Sequence, residues 1–495
     1  MKTLYNDVLT HVLTLVSIVF LCLVLLVPGG AFGQVPGVLS LEEAQRFRTE
    51  RLEKEARASL ESRMRPSQRF LFDYGGWYRL TYLNYDDLSN NLLRQRTRIL
   101  RLHDLRLWAM LNLDNTHTFY VRERTSLYDW DHNDNYRRYD TDYNVELDQA
   151  FYSVRIDEAL RRYLDVRLPL RLQFTGGQFF SQIGTGLVYS RVAQGVELNG
   201  QSRFVNFKTF WSKTPQGESN IDYSVPGFRT RGQDRYFYGV ELTYPRFSHH
   251  EPYLFWMQQK DHSDPSAPHP TQKKFDYDSQ YIGLGARGEI IKNLTYEIEG
   301  IRETGRSYGD NVTFGGSQSP NDISSWALTT KLTKIFDVLT RPRLSFQYAM
   351  GTGARNRQNP TNTIGGNAPD KTDRNFLYFG YTETGYMLSP RLSNLQMLRL
   401  GGSLKPLDFN KDLKDNLEIG LNYYIYKKDK TAAGISDFRA DRPANSLGRE
   451  LDAYVNWKAL SDVFITFNWG RFYPSNAFGD KDIRNYLLMG LTYQF

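Results

Sequence analysis

The last ten residues, Tyr486-Leu487-Leu488-Met489-Gly490-Leu491-Thr492-Tyr493-Gln494-Phe495, alternate apolar side chains with small or polar ones. Strand side chains alternate with period two, so Leu487, Met489, Leu491, Tyr493 and Phe495 share one face and Leu488, Gly490, Thr492 and Gln494 the other. A closing strand that is apolar outward and small inward suits the seam of a closed barrel. Bacterial outer-membrane proteins commonly end on such a strand with a terminal aromatic, so barrel-assembly machinery is the expected partner of the strand ending in Phe495. The competing reading is the last strand of a soluble β-sandwich.

At the other end, Val12 to Val27 is an apolar or small-polar run behind Lys2, followed by Pro28-Gly29-Gly30-Ala31-Phe32-Gly33. Its 16 residues fall short of the roughly 20 that a spanning helix needs. The pattern predicts a secretory signal peptide over 1–33, cleaved before Gln34. The single cysteine, Cys22, lies inside that run, so the mature chain lacks disulfides, thiol catalysis and thiolate metal sites. No second long apolar run follows, so any membrane crossing belongs to strands, whose alternation averages out in a hydropathy window. Aromatic residues make up 14% of the chain, enough for girdles at two membrane interfaces. The net charge of +7 comes from interleaved acids and bases without a recognition motif, which excludes nucleic acid as the expected partner.

Ser40 with Glu43 forms a capping box that opens a charged helix, and Pro66 ends it. The segment 34–68 is therefore expected to be a periplasmic helix and linker ahead of a barrel over 69–495. Strand-like alternation then recurs near 70–85, 94–112, 116–128, 146–156, 164–179, 192–199, 203–213, 233–245 and 251–261. It continues near 278–290, 293–305, 323–335, 342–351, 393–405, 415–427, 449–458, 462–472 and 486–495. Short connectors alternate with long polar ones once 373–384 is assigned to a long loop, 352–392, rather than to a further strand. The fold class predicted is thus all-β, a transmembrane antiparallel β-barrel of about 18 strands, with both termini on the short-turn side.

In such a barrel the apolar face of each strand meets lipid and the other face the lumen. That parity aims Trp77 and Arg79 inward on the first strand, and Arg106 and Trp108 on the second. On the third it aims Tyr120, Arg122 and Arg124 inward. Arg171 follows on the fifth strand, then Lys208, Arg287, Lys331 and Arg399. Inward acids include Glu197, Glu450 and Asp452. Early strands supply most luminal cations and later ones most carboxylates, a polarised wall suited to anionic solutes. An equally open reading is a transverse field that sorts by size and dipole.

The segments Leu105-Arg106-Leu107-Trp108, Tyr120-Val121-Arg122-Glu123-Arg124, Leu147-Asp148-Gln149-Ala150-Phe151 and Gly184-Thr185-Gly186-Leu187 occur in this order. Gly195-Val196-Glu197-Leu198, Leu447-Gly448-Arg449-Glu450-Leu451-Asp452 and Phe472-Tyr473-Pro474 follow. Together, from Tyr74 to Phe495, the chain resembles the alginate-export family of outer-membrane barrels. The resemblance implies an eighteen-stranded monomeric porin passing an anionic polysaccharide outward, with Arg106, Arg122 and Arg124 at the constriction and periplasmic export proteins as partners. One departure is Gly176-Gly177-Gln178, where the family pattern tends to place Gly-Arg-Gln.

No nucleophile elbow, zinc-protease helix or phosphate loop occurs, and no cofactor is expected. Asp129, Asp131, Asn133 and Asn135 form a metal-like loop cluster that lacks the glycine and glutamate of a calcium hand. The expectation is a passive outer-membrane channel rather than an enzyme, with a general uptake porin and a barrel enzyme as alternatives.

Overall fold

The computed structural model describes residues 70–86, 97–132, 134, 140–215, 234–262, 277–308, 320–355, 357, 371–410, 413 and 416–495. The expected signal peptide and the helical segment 34–68 lie outside them. In chain order come β1 (Phe70–Asp86), β2 (Thr97–Leu113), β3 (His117–Trp130), β4 (Thr141–Arg155), α1 (Ile156–Leu164), β5 (Arg171–Ile183) and β6 (Tyr189–Gln201). Then follow β7 (Asn206–Lys213), β8 (Arg235–Thr243), β9 (His250–Asp261), β10 (Asp278–Ile291), β11 (Leu294–Tyr308) and β12 (Pro320–Ile335). The wall is completed by β13 (Arg343–Gly351), β14 (Leu395–Leu404), β15 (Leu417–Lys428), β16 (Ser446–Lys458), β17 (Val463–Pro474) and β18 (Arg484–Gln494). Each strand pairs antiparallel with its sequence neighbours, and β1 pairs with β18, so the 18-stranded sheet closes on itself.

The seam runs from Trp77 opposite Gln494 to Tyr85 opposite Tyr486. Beyond it, Gly76 and Phe495 exchange both backbone bonds, at 2.9 and 3.0 Å. Two glycines make room there. A Cβ on Gly75 would sit 2.7 Å from the Phe495 carbonyl oxygen, and one on Gly76 would sit 2.6 Å from the Arg106 carbonyl oxygen and 2.9 Å from the Phe495 ring.

Parity holds around the wall. Leu107, Leu254, Ile282, Leu284, Trp326, Leu400, Leu421 and Leu491 are exposed on the outer face, while their neighbours Arg106, Tyr253, Tyr281, Gly283 and Thr492 are buried. Outward histidines bond tyrosines rather than charges: His103 with Tyr78 at 2.6 Å, His117 with Tyr152 at 2.7 Å and His250 with Tyr296 at 3.1 Å. Such amphipathic pairs suit the membrane–water boundary.

Two expectations need correction. The fifth strand begins at Arg171, not near 164, because Ile156–Leu164 is helical. Asp157 and Glu158 in its first turn and Arg161 and Arg162 in its last complement the helix dipole, and Asp165 ends it in a left-handed conformation. Greasy residues at Leu164, Val166, Leu168 and Leu170 therefore mimic strand parity without being in the wall. The other correction is that the β5–β6 connection spans only 184–188, as both strands run further than their alternation indicates.

Replacing Gly76 with Val should hinder closure, costing about 1–3 kcal/mol as overpacking does. In gel-shift assays of heat-modifiable folding, the variant should give less folded barrel than wild type.

Candidate functional site

The interior divides into two halves. Toward the long loops it is filled: the segment 371–394 folds into the lumen, where Phe376, Leu377, Phe379, Met387 and Leu392 are buried against the inner wall. Phe379 pairs in parallel with Tyr189 and its ring meets Phe237 edge-on at 5.1 Å, while Tyr386 stacks on Tyr486 at 5.8 Å. The stretch 373–384 is thus a plug and not a nineteenth strand.

Inward carboxylates hold this plug by its backbone. Glu450 accepts the N–H groups of Tyr386 and Met387, each at 2.7 Å, and of Leu388 at 2.9 Å; Asp452 accepts Tyr386 N–H at 3.0 Å. Glu303 accepts Leu377 N–H at 3.1 Å. The short β5–β6 loop is tied likewise, Gly184 N–H to Glu241 and Thr185 N–H to Glu299, both at 2.8 Å. A carboxylate that accepts several backbone donors satisfies groups that would otherwise be buried without partners. Outside the strands, Asp437 receives Arg439 and Arg484, each at 2.7 Å. Burial pushes its pKa up, but the hydrogen bond from Arg439 and the charges of Arg439 and Arg484 outweigh this and hold it below the usual carboxylate range.

On the neighbouring strands β1–β3 the structure gathers Trp77, Arg106, Arg122 and Arg124. The Arg106 and Arg122 guanidinium carbons lie 5.5 and 5.4 Å from the Trp77 ring centre, within cation–π range. All three arginines are paired. Arg106 reaches Asp104 and Asp148, both at 3.2 Å, and Arg122 reaches Asp148 at 2.7 Å. Arg124 reaches Asp104 at 2.8 Å and Glu146 at 3.1 Å. The cluster therefore holds three cations and three carboxylates, and Arg106 and Arg122 are buried. The wall polarity that the sequence suggests is offset locally by these acids.

Asp148 enters the cluster through a β-bulge. The β3–β4 register shifts between Arg122 and Glu123, which face Gln149 and Leu147, so Asp148 is the extra residue. A bulge lets two successive side chains face one side, and here Asp148 and Gln149 are both buried. The adjacent polar pair in Leu147-Asp148-Gln149 is the trace this leaves in the sequence.

Below the arginines runs an aromatic ladder: Trp108 stacks on Tyr120 at 6.3 Å, Tyr120 on Phe151 at 5.2 Å, and Phe151 meets Phe179 edge-on at 6.2 Å. Phe151 and Phe179 border a cavity of about 670 Å³ in the short-turn half, which Glu197, Lys208 and Arg287 also line. Lys208 lies 3.9 Å from Glu197, and Arg287 lies 2.9 Å from Glu251. Arg171 borders a neighbouring groove at the short-turn rim. Arg79 bonds Thr492 at 3.0 Å on the seam. Lys331, opposite Glu297 and Gln347, and Arg399, bonded to Asn422 at 3.0 Å and Glu383 at 3.2 Å, belong to the far wall. Of the metal-like loop, Asn133 and Asn135 lie outside the described residues, and Asp129 and Asp131 both pair with Arg101, at 3.1 and 3.2 Å.

The family described as alginate export matches the chain over residues 71–487. No curated relative matches it. Among solved structures it is similar to OccK8 (OprE) of Pseudomonas aeruginosa, at 10% identity and a TM-score of 0.53, over 86% of this chain and 98% of that one. A BenF-like porin of Pseudomonas fluorescens Pf-5 aligns at 9% identity and a TM-score of 0.51 over the same shares. So does OpdK of Pseudomonas aeruginosa, solved with vanillate, at 11% identity and a TM-score of 0.50. At such identity the likeness shows the barrel fold alone.

Two outcomes test this geometry. Asp148→Asn removes the buried acid shared by Arg106 and Arg122; if the uncompensated charge is felt in the path at about 1 kcal/mol, anion preference in reversal-potential measurements should rise about fivefold. Glu450→Ala frees the backbone of 386–388 and should raise single-channel conductance above wild type.

Proposed function

Since the chain belongs to the alginate export family, we propose that this outer-membrane channel passes an anionic polysaccharide or oligosaccharide, alginate-like in character, by passive diffusion. The family and the porin-like barrel indicate a transport channel. The observation that carries the finer reading is the convergence of Arg106 and Arg122 on Trp77, with Arg124 joined to them through Asp104, at the head of the Trp108–Tyr120–Phe151 ladder.

Conduction needs binding strong enough to admit a solute and weak enough to release it. Bare buried arginines would trap a polyanion. Arg106 and Arg122 are buried against Asp104 and Asp148 and act on the path through their field, whereas Arg124, held by Asp104 and the more exposed Glu146, is the one that exchanges a carboxylate with a passing sugar acid, which therefore gains little and leaves readily. The aromatic ladder offers flat faces to sugar rings between these exchanges. Arg79, Arg171, Lys208, Arg287, Lys331 and Arg399 are proposed as further pore-lining cations around the same water column. The outward direction, the monomeric state and the periplasmic export partners also belong to this proposal.

A second reading, a solute-uptake porin without polymer preference, is favoured by one feature: the inward-folded 371–394 plug narrows the lumen in the way a small-solute channel requires. Recordings of the purified protein in planar bilayers separate the two. The export reading expects mild anion selectivity, current block by polyuronate, and weakened selectivity when Arg122 and Arg124 are both changed to Glu. Cation selectivity without polyuronate block would overturn it.

A further inference from the structure

The cavity at the short-turn end is chemically unlike the arginine cluster above it. Its lining holds eight side-chain amides and five hydroxyls, and its charged residues comprise three of each sign. Those charges are engaged. Lys208 neighbours Glu197, Arg287 holds Glu251, Arg155 approaches Glu158 at 3.5 Å, and Glu241 accepts the Gly184 N–H.

An amide both donates and accepts, as does a sugar hydroxyl, whereas a carboxylate only accepts. A polyuronate entering this cavity would set its charges against amide oxygens and three glutamates, with no cation unpaired by the described acids to favour it. A neutral sugar ring finds matched partners. Gln173 and Gln201 are exposed on adjacent strands β5 and β6. Asn199, directly opposite Gln173, gives Glu197 one proton at 2.7 Å, and its amide has a second to offer. Phe151 and Phe179 supply the apolar border against which ring C–H faces rest. At about 670 Å³ the space lies within the roughly 300–1,000 Å³ of small-ligand sites.

We propose that this vestibule is a binding site for neutral sugar units, and hence that the cargo is a sparsely charged glycan in which neutral residues separate the acidic ones. This rests on the reading of the channel as a saccharide conduit and narrows it. The arginine cluster then meets the occasional acid, and the vestibule holds the hydroxyl-rich stretch that follows.

The test uses the full chain in planar bilayers, with a neutral cello-hexaose and an oligomannuronate of equal length added in turn from the short-turn side. The expected result is that the neutral sugar interrupts the current. Gln173→Ala with Gln201→Ala should then shorten its dwell time about tenfold, the loss expected for two hydrogen bonds. If the double variant folds poorly, each single change serves, with a smaller shortening of about threefold. Block by the oligomannuronate alone would overturn the inference and leave the anionic-saccharide channel standing. Neutral block unaltered in every variant would remove the site from this cavity. Absence of block by either sugar would overturn both the inference and the saccharide reading.

Discussion

Within hydrocarbon no water is available to an unpaired backbone group, and each one left open costs several kcal/mol. A sheet in that setting must have no edge. Everything else in this chain follows from meeting that condition at the β1–β18 seam, where the final residue is drawn into the ladder through Gly76. Gly75 and Gly76 look like weak points in a strand, yet their missing side chains are what lets Phe495 close the cylinder. Closure also divides every strand into a lipid-facing and a lumen-facing register, and so determines which residues are available for transport.

A cylinder of this size encloses more space than its own side chains fill. The chain fills part of it with its own segments 184–188 and 371–394, and backbone brought indoors carries N–H groups that need acceptors. Glu299, Glu303, Glu450 and Asp452 supply them. Carboxylates on the later strands therefore act chiefly on the plug, while the arginines of the earlier strands are balanced by Asp104, Glu146 and Asp148. What reaches water in the short-turn half is largely amide and hydroxyl, with its few charges paired.

Much of this was legible in the chain. Period-two alternation located all eighteen strands, and the alternation of short and long connectors rightly kept 373–384 out of the wall. Arg106, Arg122 and Arg124 alternate with apolar Leu105, Leu107 and Val121, and in the structure they meet Asp104, Asp148 and Glu146. Less visible was whatever departs from local periodicity. Leu164 to Leu170 alternates like a strand, but Leu164 is the last of nine residues in a helix whose charge order at each end, rather than its apolar pattern, marks it. Asp148 escapes parity because a bulge shifts the register by one. The inward course of 371–394 depends on contacts with residues up to about 200 positions away, such as Phe379 with Val188, and no local pattern encodes it.

In a closed transmembrane barrel, alternate residues of one strand meet water and hydrocarbon in turn. Single cysteines along β5 test this directly, because the only native cysteine, Cys22, lies in the expected leader. In membranes, Leu172→Cys, Gln173→Cys, Phe174→Cys and Thr175→Cys would each be exposed to a charged, water-soluble maleimide. Labelling at 173 and 175 with protection at 172 and 174 is the predicted outcome; uniform labelling, or the opposite alternation, would contradict it.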